Sequence, residues 1–147
     1  MSAATRDADR RDHAPSRSDL ERQLQRRAGH RVVETQFFGA GEWPDAARRL
    51  QDEGWLLIDL CGVDSLGLSG EKGRFEVVVQ LIHHEKHQRG TVHVAAEGDP
   101  PSVPSVTALW PGAHNMEREA FDLLGIHFDG HPNLTRILMP DEWEGHP

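Results

Sequence analysis

The chain has 147 residues, a length that fits one domain, with 37% hydrophobic and 27% charged residues, enough for a globular core. Its net charge of −8 lacks the basic face that a general nucleic-acid binder needs to displace counterions. One cysteine, Cys61, excludes a disulfide framework, a cysteine zinc site and a self-contained iron–sulfur cluster.

Residues 1–17 are rich in Arg, Asp and Ala and show no apolar periodicity, so a disordered tail is expected. The stretch has no apolar core of a secretory signal, and no run approaches the ~18 apolar residues of a membrane span. A protein kept in the cytoplasm, with only indirect membrane attachment, is the expectation. Ser18 and Glu21 form a capping box, and Leu20, Leu24 and Ala28 continue a short helix that Gly29 stops. Residues 31–38 (RVVETQFF) are rich in β-formers and predict a strand. Pro44 suits a first helical turn, Ala46, Ala47 and Leu50 follow on one face, and Gly54 closes a second helix.

Residues 55–60 (WLLIDL) read as a buried strand, and CGVDSLGLSGEKG after it as a loop. The clearest strand is 74–83 (RFEVVVQLIH), with Phe75, Val77, Val79 and Leu81 on one face. A polar hairpin loop at 84–90 returns into a partner strand at 91–96 (TVHVAA). A loop at 98–104 leads through Trp110-Pro111-Gly112 into a third helix at 113–124, ended by Gly125, with Met116, Ala120, Leu123 and Leu124 as its buried face. The order predicts an α+β, two-layer domain over 18–128: a mixed, antiparallel-rich sheet with helices mainly on one face. Residues 129–147 mix Leu134, Ile137, Leu138, Met139 and Trp143 with Gly130, Pro132, Pro140 and Gly145, so no regular element can bury them as one face. They are expected to form an irregular docking tail, mobile until a partner orders it.

Candidate chemistry is thin. His83, His84 and His87 lie near Glu85, but adjacent strand residues point to opposite faces, so a solvated loop outweighs a metal site. His127, Asp129, His131 and His146 form a second, loosely spaced set, better suited to hydrogen bonds in rigid turns than to acid–base work. There is no glycine-rich phosphate loop and no HExxH. On the third helix, Arg118 and Asp122 are placed to pair at i,i+4, while Glu119 and Asp122 repel at i,i+3. Glu117, Arg118, Glu119 and Asp122 therefore read either as a solvated face or as a surface for which a partner supplies the missing cation.

The stretch WPGAHNMEREAFDLLGIHFDGHPNLTRILMPDEWEGHP resembles the signature of the thirty-kilodalton subunit family of respiratory complex I, known in bacteria as the C subunit of NADH:quinone oxidoreductase. DLCGVD (59–64), RFEVVVQLIHH (74–84) and VPSVTALWPGA (103–113) precede it in the family's order. This sequence departs from the family's pattern in having Asn115-Met116 where an aromatic pair is usual, and Cys61 where a small or hydroxyl residue is usual. The resemblance implies a mixed sheet with helices and a non-catalytic place in the hydrophilic arm. That place lies against the subunit forming the quinone cavity and the subunit bearing the terminal iron–sulfur cluster, peripheral to the cell membrane on its cytoplasmic side. It implies no cofactor in this chain, FMN and iron–sulfur clusters being held by partner subunits of an enzyme that moves electrons from NADH to quinone and translocates protons. An equivalent subunit of a related membrane-bound hydrogenase or donor-variant complex is the alternative, and a stand-alone enzyme using the His/Asp cluster a second one. Glu117, Arg118, Glu119, Asp122, His131, Arg136 and Trp143 are the expected interface residues.

Overall fold

Alternation of apolar residues along adjacent strands buries one face of a sheet more deeply than the other, and that asymmetry organises this chain. A computed structural model describes residues 31–32, 35–66 and 73–147. The expected N-terminal tail and capped first helix lie outside the described residues. The sheet is built from β1 (Arg31–Val32), β2 (Gln36–Gly39), β3 (Leu56–Asp64), β4 (Phe75–His83) and β5 (Gln88–Ala95). β3, β4 and β5 are antiparallel in sequence order, while β1 and β2 both run parallel to β5 along its other edge. A mixed, antiparallel-rich sheet was expected and is found. The strand expected at 31–38 is two short strands, and the strand expected to stop at Leu60 continues to Asp64. Cys61, Gly62, Val63 and Asp64 pair with β4 instead of entering a loop.

Register fixes the faces. Leu60, Val79 and Val92 lie side by side, as do Gly62, Val77 and Val94, and all but Gly62 are core residues. The opposite face carries Cys61, Val78 and His93, with the Phe37 ring stacked on His93 at 4.9 Å. Helix α1 (Trp43–Asp52) covers the core face because Trp43, Ala46, Ala47 and Leu50 recur at helical spacing and are all buried. It begins with proline in its first turn and ends in a Schellman arrangement: Gly54 has φ +95°, its N–H reaches Gln51 O at 3.0 Å, and Trp55 N–H reaches Leu50 O at 3.0 Å. His83 braces that end. Lys86 N–H donates to its Nδ1 at 3.3 Å, so the ring proton sits on Nε2 and donates to Glu53 O at 2.7 Å. His83 is thus a buried strut, while His84 and Glu85 are exposed.

A second layer follows the sheet. β6 (Ser102–Pro104) and β7 (His127–Asp129) pair in parallel on either side of α2 (Ala113–Leu124). Neither short strand was expected, since each is three residues long. Helix α2 packs on β3 at close range: a Cβ on Gly62 would sit 2.7 Å from Leu124 Cδ1 and 3.4 Å from Ala120 Cβ. Trp110 ties the layers together, its indole N–H donating to Trp55 O at 3.0 Å. No helix among the described residues is long and apolar enough to cross a membrane.

Candidate functional site

Helix α2 carries the charged triplet singled out in the sequence, and its buried face is not the one apolarity predicts. Ala113, Glu117, Ala120 and Asp122 are buried, whereas Met116, Leu123 and Leu124 are only partly so. Glu117 and Asp122 expose nothing. Buried carboxylates need hydrogen-bond donors or cations to be tolerated, and the two find different ones.

Glu117 faces the turn after β6. Its Oε1 accepts Val106 N–H at 2.8 Å and its Oε2 accepts the Ser105 hydroxyl at 2.7 Å. Burial pushes its carboxyl above the usual carboxylate range, and the bonds from Val106 and Ser105 offset this only in part. His131 stands nearby, its Nε2 4.0 Å from Glu117 Oε2, but its bonds go elsewhere. Asn133 N–H donates to His131 Nδ1 at 3.0 Å, which leaves Nε2–H to donate to His114 O at 2.9 Å.

Asp122 faces the C-terminal segment. One oxygen, Oδ1, takes Arg136 Nη1 at 2.7 Å; the other, Oδ2, accepts the consecutive N–H groups of Ile137, Leu138 and Met139 at 3.1, 2.7 and 2.8 Å. Burial opposes its charge, but the Met139 N–H, the Arg136 guanidinium and the Leu138 and Ile137 N–H groups outweigh burial and hold the carboxyl well below the usual range. Arg136 also reaches Trp143 O at 3.0 Å and Gly145 O at 2.6 Å, and His146 Nδ1 lies 2.9 Å from Asp122 O. The His146 ring occupies the space a side chain on Gly125 would fill: a Cβ there would lie 2.8 Å from its Cδ2. Arg118 completes the attachment by donating to Thr135 O at 3.1 Å, Thr135 Oγ1 at 3.2 Å and Arg136 O at 2.8 Å.

Two expectations are corrected. Arg118 does not pair with Asp122, and the cation for Asp122 comes from Arg136 of the same chain, not from a partner. The segment after Asp129 is irregular, and α2 holds its backbone from Thr135 to Met139. What the segment leaves outside is apolar, with Ile137 38%, Leu138 60% and Trp143 47% exposed. Glu119 points outward and makes no hydrogen bond or ion pair among the described residues. The His/Asp set does not converge. Asp129 Oδ2 accepts the Ser102 hydroxyl, His127 and His146 each pack edge-on against Phe121, and His131 binds backbone. Among the described residues no group of His, Cys, Asp or Glu is placed to hold a metal. Sequence reasoning missed Ser105, Thr135 and the amides of 137–139. Backbone donors carry no side-chain signature, and Ser105-Val106-Thr107 is an ordinary turn sequence.

The family model described as "Respiratory-chain NADH dehydrogenase, 30 Kd subunit" matches residues 38–147, which includes both helices and the whole C-terminal segment. The chain belongs to this family. It is 52% identical over 107 residues to the C subunit of the NADH-quinone oxidoreductase of Roseiflexus sp. (strain RS-1), covering 70% of this chain and 60% of that protein. It is 45% identical over 108 residues to the corresponding NADH-quinone oxidoreductase subunit of Herpetosiphon aurantiacus, covering 71% and 61%. The chain thus spans less than two thirds of the length of these curated relatives. Among solved structures it is similar to a trypsin-resistant fragment of Nqo5, with a TM-score of 0.63, 30% identity, and coverage of 78% of this chain and 98% of that one. A chain of the archaeal membrane-bound sulfane sulfur reductase shares the fold, with a TM-score of 0.63 at 21% identity.

Proposed function

We propose that this family member is a non-catalytic assembly subunit in the hydrophilic arm of a proton-translocating NADH:quinone oxidoreductase. It sits on the cytoplasmic side of the cell membrane, against the quinone-site subunit and the subunit with the terminal iron–sulfur cluster. Electrons pass from NADH through FMN and iron–sulfur centres held by those and other partners, and this chain holds none of them. The observation that carries the reading is the division of labour in the C-terminal segment. Its backbone is bound inward by Asp122 and Arg118 while Ile137, Leu138 and Trp143 stay outside. A chain that spends its polar groups on fixing a loop and exposes large side chains has built a preorganised contact surface, which lowers the ordering cost of association.

The seven expected interface residues then divide by role. Trp143 touches the partner from this segment, and Glu119, exposed on α2, touches one apart from it; Glu117, Arg118, Asp122, His131 and Arg136 shape the surface from within. Fixing the loop suits Arg136, because a planar guanidinium reaches a carboxylate and two carbonyls at once. The test is purification of a tagged chain from gently solubilised membranes, with identification of what accompanies it. Recovery with quinone-site and iron–sulfur subunits, together with NADH:quinone reductase activity, is the expected result. Recovery of the chain alone, or with hydrogenase subunits, overturns the proposal.

A further inference from the structure

Gly62 lets α2 lie close to β3, and Met116, Leu123 and Leu124 remain only partly buried there. They line an open groove of about 340 Å³ between helix and strand, together with Asp59, Cys61 and Glu119. Its lining mixes these apolar side chains with carboxylates. Glu119 has no partner among the described residues, and Asp59 has only the N–H of its neighbour Leu60, at 2.9 Å. Cys61 alternates with Gly62 and so turns to the other face of β3, bordering the groove at its edge; after burial, Asp59, Glu119 and Glu76 push its pKa up.

β3 is also the end of the sheet path, with no described strand on its outer side. A strand could not add there cleanly, because the register shifts between Leu57 and Asp59, and a bulge at an edge disfavours further pairing. Ile58, at that bulge, and Leu56 are exposed at 42% and 47% and extend the apolar surface along the strand.

We propose that this groove is a second docking surface, for a helix or loop of a partner subunit that inserts an apolar side chain flanked by lysine or arginine. Charge decides the occupant: a cleft that sets apolar side chains beside carboxylates with no ion pair among the described residues favours a cationic neighbour and disfavours an acidic one, including a second copy of this chain with its net charge of −8. The inference rests on the assembly role proposed above, and its test separates the two.

Cys61 is the chain's one cysteine, is exposed and borders the groove, so a partner seated there shields it. The free chain and the membrane-purified complex are treated with a maleimide at about pH 8.5, where even a minor thiolate fraction reacts, and the Cys61 peptide is read by mass spectrometry. Labelling of the free chain and its loss in the complex is the expected result. If partner subunits accompany the chain and Cys61 still labels at the free rate, the groove is open in the complex and the docking proposal falls while the assembly role stands. If no subunits accompany it, both fall. Glu119→Lys supplies the second arm. It alters an exposed residue, so the melting temperature of the isolated chain should hold while complex recovery drops several-fold. Unchanged recovery contradicts the cationic occupant.

Discussion

The two ends of α2 each bury a carboxylate, and they do so by opposite means. Glu117, near the start, has one backbone N–H and one hydroxyl. Asp122, one turn and a half further on, has a guanidinium and three backbone N–H groups. Desolvation acts on both, and the number and charge of the donors decides the sign: Glu117 is raised and Asp122 lowered. The difference tells which end depends on charge. The Glu117 end closes a turn between regular elements, where a neutral acceptor would serve. The Asp122 end replaces secondary structure altogether, since the segment it holds has no ladder of its own.

Substitution should expose that contrast. Asp122→Ala leaves Arg136 without its carboxylate and three amides without their acceptor, and should cost about 3–5 kcal/mol in denaturant unfolding of the chain. Arg136→Ala removes the guanidinium from a site that is already part exposed, and should cost less, about 1.5–3 kcal/mol. It should also lower complex recovery, because the carbonyls of Trp143 and Gly145 lose their anchor. Glu117→Gln keeps an acceptor for Val106 N–H or Ser105 and removes a charge that burial disfavours, so its cost should be about 1 kcal/mol or less. A loss at Glu117 equal to that at Asp122 would erase the distinction.

The same contrast has a pH signature. A carboxyl lowered in the fold contributes stability that is present above its unfolded value, near pH 4 in ordinary peptides. That contribution disappears as pH falls through the folded value. The stability gap between the wild type and Asp122→Asn should therefore shrink on acidification. A carboxyl raised in the fold contributes stability present below its unfolded value and lost as pH rises through the folded one. The gap between the wild type and Glu117→Gln should move in favour of the wild type on acidification. Parallel slopes in the two series would contradict the assignment. The smallest expected effect on the chain itself is at Trp143: replacement by alanine should change its stability within about 0.5 kcal/mol. Complex recovery should fall further than that if the ring inserts into a partner pocket.

Much of the fold was legible because it follows from periodicity and punctuation. Ala46, Ala47 and Leu50 lie between Pro44 in the first turn and Gly54 with positive φ, and residues 113–124 run to Gly125 with φ +72°. What was missed lies where those signals fail. β3 runs on through Cys61-Gly62-Val63-Asp64 because, among the described strands, it is an edge strand whose second face is only partly covered, so its sequence need not be apolar. Its glycine marks the approach of α2 rather than a loop. The carboxylates of Glu117 and Asp122 looked like surface charge because charged residues are rarely buried without partners. Their partners are a hydroxyl, an arginine 14 residues away and backbone amides, none adjacent in sequence. The identity of the charged helix was readable from its signature; the direction in which its acids point was not.

Everything proposed for the C-terminal surface turns on Asp122 holding the segment that presents Ile137, Leu138 and Trp143. Amide hydrogen exchange of the purified chain measures this directly at Ile137, Leu138 and Met139, whose N–H groups end on Asp122 Oδ2. Protected amides are expected at these positions in the wild type, with protection lost in Asp122→Asn while the amides of β4 and β5 keep theirs. Exchange at 137–139 as fast as in an unstructured peptide in the wild-type chain would contradict it.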